Sequence, residues 1–198
     1  MRKNPRQERS RQTVERIIAA GRSVLSEHGY DAFSTNRVAA QAGVSPGSLY
    51  QYFPDKSAIL TIVIDRYWDE VAEEVAASLS GRGTALTQPP ATMVRAMADA
   101  LLTALEGDPA LLRVLTQELP QSANRERRAA LERRVRDLVG TYIGLLTRGE
   151  RSDVDLSAWI VVLAVENIAL RWSLDRPDFD RDQVLDEITG LVVAYLTP

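Results

Sequence analysis

Apolar residues recur at three- and four-residue steps along nearly the whole chain. No stretch alternates with a period of two, so the pattern predicts helices throughout. Between Gln12 and Glu27 the positions Val14, Ile17, Ile18, Gly21, Val24 and Leu25 form one helical face, and Gly29 supplies a left-handed stop. Ser34 is a good N-cap for an element of about eight residues, which carries Val38, Ala39 and Ala42 inward and ends at Gly43. Ser45-Pro46 then pairs an N-cap with a proline at the first helical position, starting a second short helix through Gln51 or Tyr52. Pro54-Asp55 opens a longer helix, with Ile59, Ile62, Val63, Tyr67, Val71, Val75 and Leu79 on its apolar stripe. The stretch from Ser80 to Pro90, rich in Gly, Pro and Thr, reads as a linker.

Five more helices are expected beyond it, at about 91–106, 109–119, 124–148, 156–174 and 181–196. Their breaks fall at Gly107-Asp108-Pro109, Pro120, Gly149 and Pro177. The helix from Leu156 to Leu174 is apolar around almost its whole circumference, and the last helix repeats the point with Val184, Leu185, Ile188, Leu191, Val192, Tyr195 and Leu196. Helices of that kind are buried on more than one side, which predicts a homodimer built from the two C-terminal helices.

Composition and charge sharpen this picture. The 198 residues are 45% apolar and 26% charged, enough to bury a core. There is no cysteine, which excludes disulfides and thiolate chemistry. The formal charge of −3 conceals a split: the first 56 residues carry nine Lys or Arg against five acids, so they stand at +4 and the remainder at −7. A basic segment on an acidic body suits a reader of nucleic acid, since neutralising phosphate drives binding. The basic start (Arg2, Lys3, Arg6, Arg9) is followed by no apolar leader, and the longest apolar run, Ala158 to Val165, is eight residues where a spanning helix takes about 20. A cytoplasmic protein that does not enter a membrane is therefore expected, with the arm either reaching a minor groove or remaining a non-specific tail.

Two short helices separated by a glycine-bearing turn are the helix-turn-helix arrangement, whose second helix enters the DNA major groove. Here the residues themselves carry a resemblance. The run His28-Gly29-Tyr30, Ser34-Thr35-Asn36-Arg37-Val38-Ala39-Ala40-Gln41-Ala42-Gly43-Val44-Ser45-Pro46-Gly47-Ser48-Leu49-Tyr50-Gln51-Tyr52-Phe53-Pro54-Asp55-Lys56 and Leu60 resembles the DNA-binding domain of the tetracycline-repressor (TetR) family, across roughly residues 12–70. The resemblance implies an all-α fold: an N-terminal three-helix helix-turn-helix domain joined by a long helix to a larger helical domain that binds a ligand and dimerises. The expected division is a basic arm over 1–11, the DNA-binding domain over 12–70 with its helix-turn-helix at about 34–53, and the C-terminal domain over 71–198. The implied function is a dimeric repressor released from a palindromic double-stranded DNA operator by a small-molecule effector. The alternative is an activator, or a regulator whose C-terminal domain answers to a protein partner.

Residue type then assigns roles. Thr35, Tyr50, Tyr52 and Lys56 offer hydroxyls and a cation to phosphates. Asn36, Ser48 and Gln51 suit base edges, while Ser45, Pro46 and Gly47 let the helix approach the groove. Tyr50 and Tyr52 also read as packing aromatics, and Arg37 and Lys56 as solvated charges; Leu49 and Phe53 read as core. In the C-terminal region Met93, Met97, Leu101, Tyr142, Trp159 and Trp172 are candidates to line an apolar pocket, with Glu166, Asn167 and Arg171 as its polar groups or as bonds across a dimer interface. The arginines at 125, 127, 128, 133, 134 and 136 alternate with acids and read as a salt-bridged surface. His28, the sole histidine, suits the end of the first helix. No catalytic constellation, metal-ligand spacing or cofactor loop is apparent, so the expectation is a protein that is no enzyme and holds no metal or cofactor.

Overall fold

The structure, a computed structural model, describes residues 5–80, 89–147 and 152–196. Among the described residues there are nine α-helices and no strand: α1 (Pro5–His28), α2 (Thr35–Ala42), α3 (Pro46–Tyr50), α4 (Lys56–Ser80), α5 (Pro90–Glu106), α6 (Pro109–Arg113), α7 (Gln121–Leu146), α8 (Val154–Asp175) and α9 (Arg181–Leu196). The expected linker after Ser80, the Gly149 break and the first residues of the basic arm lie outside the described residues. One expected helix divides in two: after α6 the backbone widens into a π-helical turn, Val114–Glu118, closed by the Leu119 N–H donating to the Val114 carbonyl at 3.1 Å.

Two compact units result. The first holds the chain through Tyr67 together with Ala110–Arg125; the second holds Trp68–Pro109 and the chain from Glu126 onward. The boundary thus falls within α4, and the segment 110–125, expected with the C-terminal domain, belongs to the first unit.

The first unit is densely packed. Ile17, Leu25, Val38, Ala39, Leu49, Ile59, Leu111 and Leu112 are fully buried. A Cβ at Gly21 would stand 2.9 Å from Ile59 Cγ2, so the missing side chain is what lets α1 and α4 approach so closely. The returning segment is tied to the end of α1 by the Tyr30 N–H, which donates to Glu118 Oε2 at 2.9 Å.

In the second unit Val139, Ile143, Ala158, Val162, Val192 and Leu196 form a core shared by α7, α8 and α9. A polar knot closes one side. Arg181 donates from Nε to Glu106 Oε2 at 3.1 Å, from one terminal nitrogen to Asp99 Oδ1 at 2.5 Å and from the other to the Thr103 hydroxyl at 3.0 Å, while the Trp172 indole donates to Glu106 Oε1 at 3.0 Å. Burial acts to lower the Arg181 pKa, but the bonds to Asp99 and Glu106 outweigh it and raise the value. Those bonds pin the start of α9 and the end of α8 to α5.

Candidate DNA-reading surface and ligand cavity

The helix-turn-helix is assembled by its caps. The Ser34 hydroxyl accepts from the Arg37 N–H at 3.3 Å and starts α2; the Ser45 hydroxyl accepts from the Ser48 N–H at 3.1 Å and starts α3. Between them the chain must reverse within three residues. Gly43, at φ 64°, lets it do so: its N–H reaches the Ala40 carbonyl at 3.2 Å and the Val44 N–H the Ala39 carbonyl at 3.0 Å, the paired bonds of a Schellman ending. Val38, Ala39, Ala42, Leu49 and Phe53 face inward and lock the two helices together.

What remains outside is polar. Asn36, Arg37, Ser45, Pro46, Gly47, Tyr50, Gln51 and Lys56 are exposed, and Thr35, Ser48 and Tyr52 are half-buried. Tyr50 is 53% exposed, which argues against a purely packing role. Its phenol lies 3.0 Å from the Thr35 hydroxyl, so the first turn of α2 and the last residue of α3 present a joined pair of oxygens. The Ser45 hydroxyl donates to the Ser48 hydroxyl at 3.0 Å, orienting the latter from the cap. Lys56 is held from within: its ammonium donates to the Phe33 carbonyl at 3.5 Å and stands 5.0 Å from the centre of the Tyr30 ring.

The second unit encloses a cavity of about 310 Å³. Five helices line it: α4 with Trp68, Val71, Ala72 and Val75; α5 with Met93, Val94, Met97, Ala98, Leu101 and Leu105; α7 with Glu132, Val135, Leu138, Val139, Thr141, Tyr142 and Ile143; α8 with Val161, Val162, Val165, Glu166 and Leu170; and α9 with Val192 and Leu196. The volume sits at the lower end of the range typical of small-molecule sites, about 300–1,000 Å³, and the lining is almost wholly apolar. Burial pushes the Tyr142 phenol pKa up.

Of the expected pocket residues, Met93, Met97, Leu101, Tyr142 and Glu166 are brought together around this cavity. The other four are not. Trp159 is 42% exposed on another face of α8, and Asn167 is exposed too. Arg171 pairs with Asp175 one turn along at 3.1 Å, and Trp172 is consumed by its bond to Glu106. On a helix apolar all round, composition does not tell which stripe faces inward, and that explains the misplacement. The contribution of α4 and Glu132 was missed because Val71 and Val75 read as ordinary core spacing. Among the described residues no group of His, Asp or Glu is placed to hold a metal, and no helix is long and apolar enough to cross a membrane.

Comparison with known proteins gives a consistent result. Residues 17–61 match the family described as "Bacterial regulatory proteins, tetR family", and residues 89–196 match "Tetracyclin repressor-like, C-terminal domain". The chain is 25% identical over 185 residues to the fatty acid metabolism regulator protein of Bacillus subtilis (strain 168), covering 90% of this chain and 92% of the relative. It is 28% identical over 193 residues to the HTH-type transcriptional regulator CymR of Pseudomonas putida, covering 88% and 87%. The solved structure of FadR from Bacillus subtilis in complex with stearoyl-CoA superposes with a TM-score of 0.69 at 18% identity, covering 91% of this chain and 98% of that one. These relatives are regulators of transcription.

Proposed function

Because the chain belongs to the tetR family of bacterial regulatory proteins and is a DNA-binding transcriptional regulator, we propose that it acts as a homodimeric repressor that leaves a palindromic operator when a small molecule with a long apolar body fills the α4–α9 cavity. The observation that carries this reading is the pairing, in one chain, of an exposed polar face on a capped helix-turn-helix with a nearly apolar cavity in a separate compact unit.

On the DNA side, Thr35, Tyr50, Tyr52 and Lys56 contact phosphates. The Thr35–Tyr50 hydroxyl pair supports that role, as does the position of Lys56 at the first residue of α4. Asn36, Ser48 and Gln51 meet base edges, and Ser45, Pro46 and Gly47 form the closest approach to the groove. Dimerisation uses the faces of α8 and α9 that carry Leu156, Trp159, Ile160, Leu163, Leu191 and Tyr195. All six are exposed in the single chain, which is costly for side chains of that size unless a second copy covers them. Two-fold symmetry then sets the two α3 helices about 34–36 Å apart, one turn of DNA.

A ligand shifts this arrangement only through differential affinity for the free and DNA-bound forms. The acyl-CoA in the related structure supports an apolar chain as the common element, because a cavity with so few polar groups gains its binding energy from burying methylenes. The test is selection of bound duplexes from a random pool by the purified protein at moderate salt. An enriched palindrome is expected, and a folded dimer that enriches no sequence would overturn the reading.

A further inference from the structure

The cavity is longer than it is wide. Its lining residues run from Met93 to Leu105 on α5 and from Glu132 to Ile143 on α7, which at the helical rise is about 18 Å on the first and about 16 Å on the second. The apolar wall continues along that length: Met93, Met97, Leu101 and Leu105 succeed one another at four-residue steps on α5, and Val135, Val139 and Ile143 do the same on α7. Volume sets the contents. An apolar cavity of about 150 Å³ holds a benzene ring, or about 25 Å³ for each carbon, and at that density about 310 Å³ holds about twelve carbons. A zigzag of tetrahedral carbons advances about 1.25 Å per atom, so twelve in line reach about 14 Å, which matches the lined length. The same volume as a compact body measures only about 8 Å across and leaves one end of the wall uncovered. An eighteen-carbon chain exceeds the space on both counts, at about 450 Å³ and about 21 Å.

We infer that the apolar body of the effector is one unbranched alkyl chain of about ten to twelve carbons laid along α5 and α7, and that the cavity measures its length. The inference rests on the ligand-release reading above and sets the size of the ligand tail for the same cavity. Each methylene added within the space is withdrawn from water, whereas one added beyond it stays wet and gains nothing.

The experiment is calorimetric titration of the full chain with alkyldimethylamine oxides whose tails have 8, 10, 12, 14 and 16 carbons. These probes share one small head of no net charge, and each is kept below its micelle concentration; the series is then repeated on the operator complex. Affinity is expected to rise about tenfold for every two methylenes as far as ten to twelve carbons, and less than about twofold for every two beyond, with the decyl and dodecyl probes releasing the DNA. The adamantyl amine oxide carries the carbon count of the decyl probe in a compact cage and should bind about tenfold more weakly. Ala72→Leu, which adds bulk to the lining, should move the break to shorter tails, and Leu101→Ala, which removes it, to longer ones. If a variant fails to fold, the break on the unaltered chain decides alone. Affinity still climbing steeply past twelve carbons overturns the inference, as does a break at eight, a break that neither variant moves, or equal binding of the adamantyl and decyl probes. Each of those results leaves the ligand-release reading standing. Failure of every probe to bind or to release operator overturns both.

Discussion

The two units solve opposite packing problems. In the first, short helices are held by caps, by a glycine turn and by a core with little slack: Leu49 and Val38 are fully buried, and the α1–α4 approach leaves no room even for a Cβ at Gly21. In the second, longer helices leave about 310 Å³ open between them, and residues such as Leu101 and Val165 are only half-buried because they border that space. A DNA-reading surface needs rigid placement of a few side chains, which a tightly packed core supplies; a ligand unit needs a void, and keeping one gives up part of its packing energy.

Paired truncations test this contrast most severely. Leu49→Ala should cost about 2–5 kcal/mol in urea unfolding, since it removes a fully enclosed side chain. Leu101→Ala should cost less than half as much, because the side chain already lacks neighbours on its cavity side. Equal losses at the two sites would mean that the cavity collapses in solution.

The polar knot provides the next test. Arg181→Leu removes the guanidinium bonded to Asp99 and one of the partners of the largely buried Glu106, which keeps the Trp172 indole and Arg176, and should lower stability by about 1–3 kcal/mol. Its effect belongs in the second unit, so amide hydrogen exchange should quicken in α5, α8 and α9 and stay slow in α2 and α3.

A smaller effect is expected at the turn. Gly43→Ala meets open space but must hold φ 64°, which costs about 1 kcal/mol in thermal unfolding. Gln51→Ala lies on the exposed face beyond that turn and should leave stability unchanged while relaxing base preference at one position of each half-site, read by repeating the duplex selection. An unaltered preferred sequence would remove Gln51 from the base contacts.

The smallest effect is electrostatic. The Arg66 guanidinium donates to both oxygens of Glu15, at 2.5 and 2.8 Å, and these bonds hold the Glu15 carboxyl below the usual carboxylate range. A carboxyl depressed in the folded state contributes its stability in full above its unfolded pKa and loses it as pH falls through the folded value. Both side chains are well exposed, so Glu15→Gln should cost no more than about 1 kcal/mol near neutrality. The difference from the parent chain should vanish in acid. A difference that persists there would point to packing and not to charge.

The legibility of the molecule follows the same division. The helix-turn-helix was readable because its determinants are local: Ser34, Gly43, Ser45 and Pro46 act on neighbours within a few residues, and the structure places each cap where the spacing put it. The start of α1 at Pro5, well before Gln12, was not readable, since the apolar stripe begins only at Val14. The π-turn at Val114–Glu118 also escaped, because local spacing there fits an ordinary helix.

Sequence by itself thus determined the helical class, the family and the capped turn, all of which depend on contacts between near neighbours. Tertiary structure decided which apolar residues bound a cavity and which fill a core, that Trp159 and Arg171 turn away while Trp68 and Glu132 turn in, and that residues 110–125 join the first unit. The physical reason is that an empty space is a property of several helices at once. No periodicity along any one of them distinguishes a side chain facing a neighbour from one facing a void.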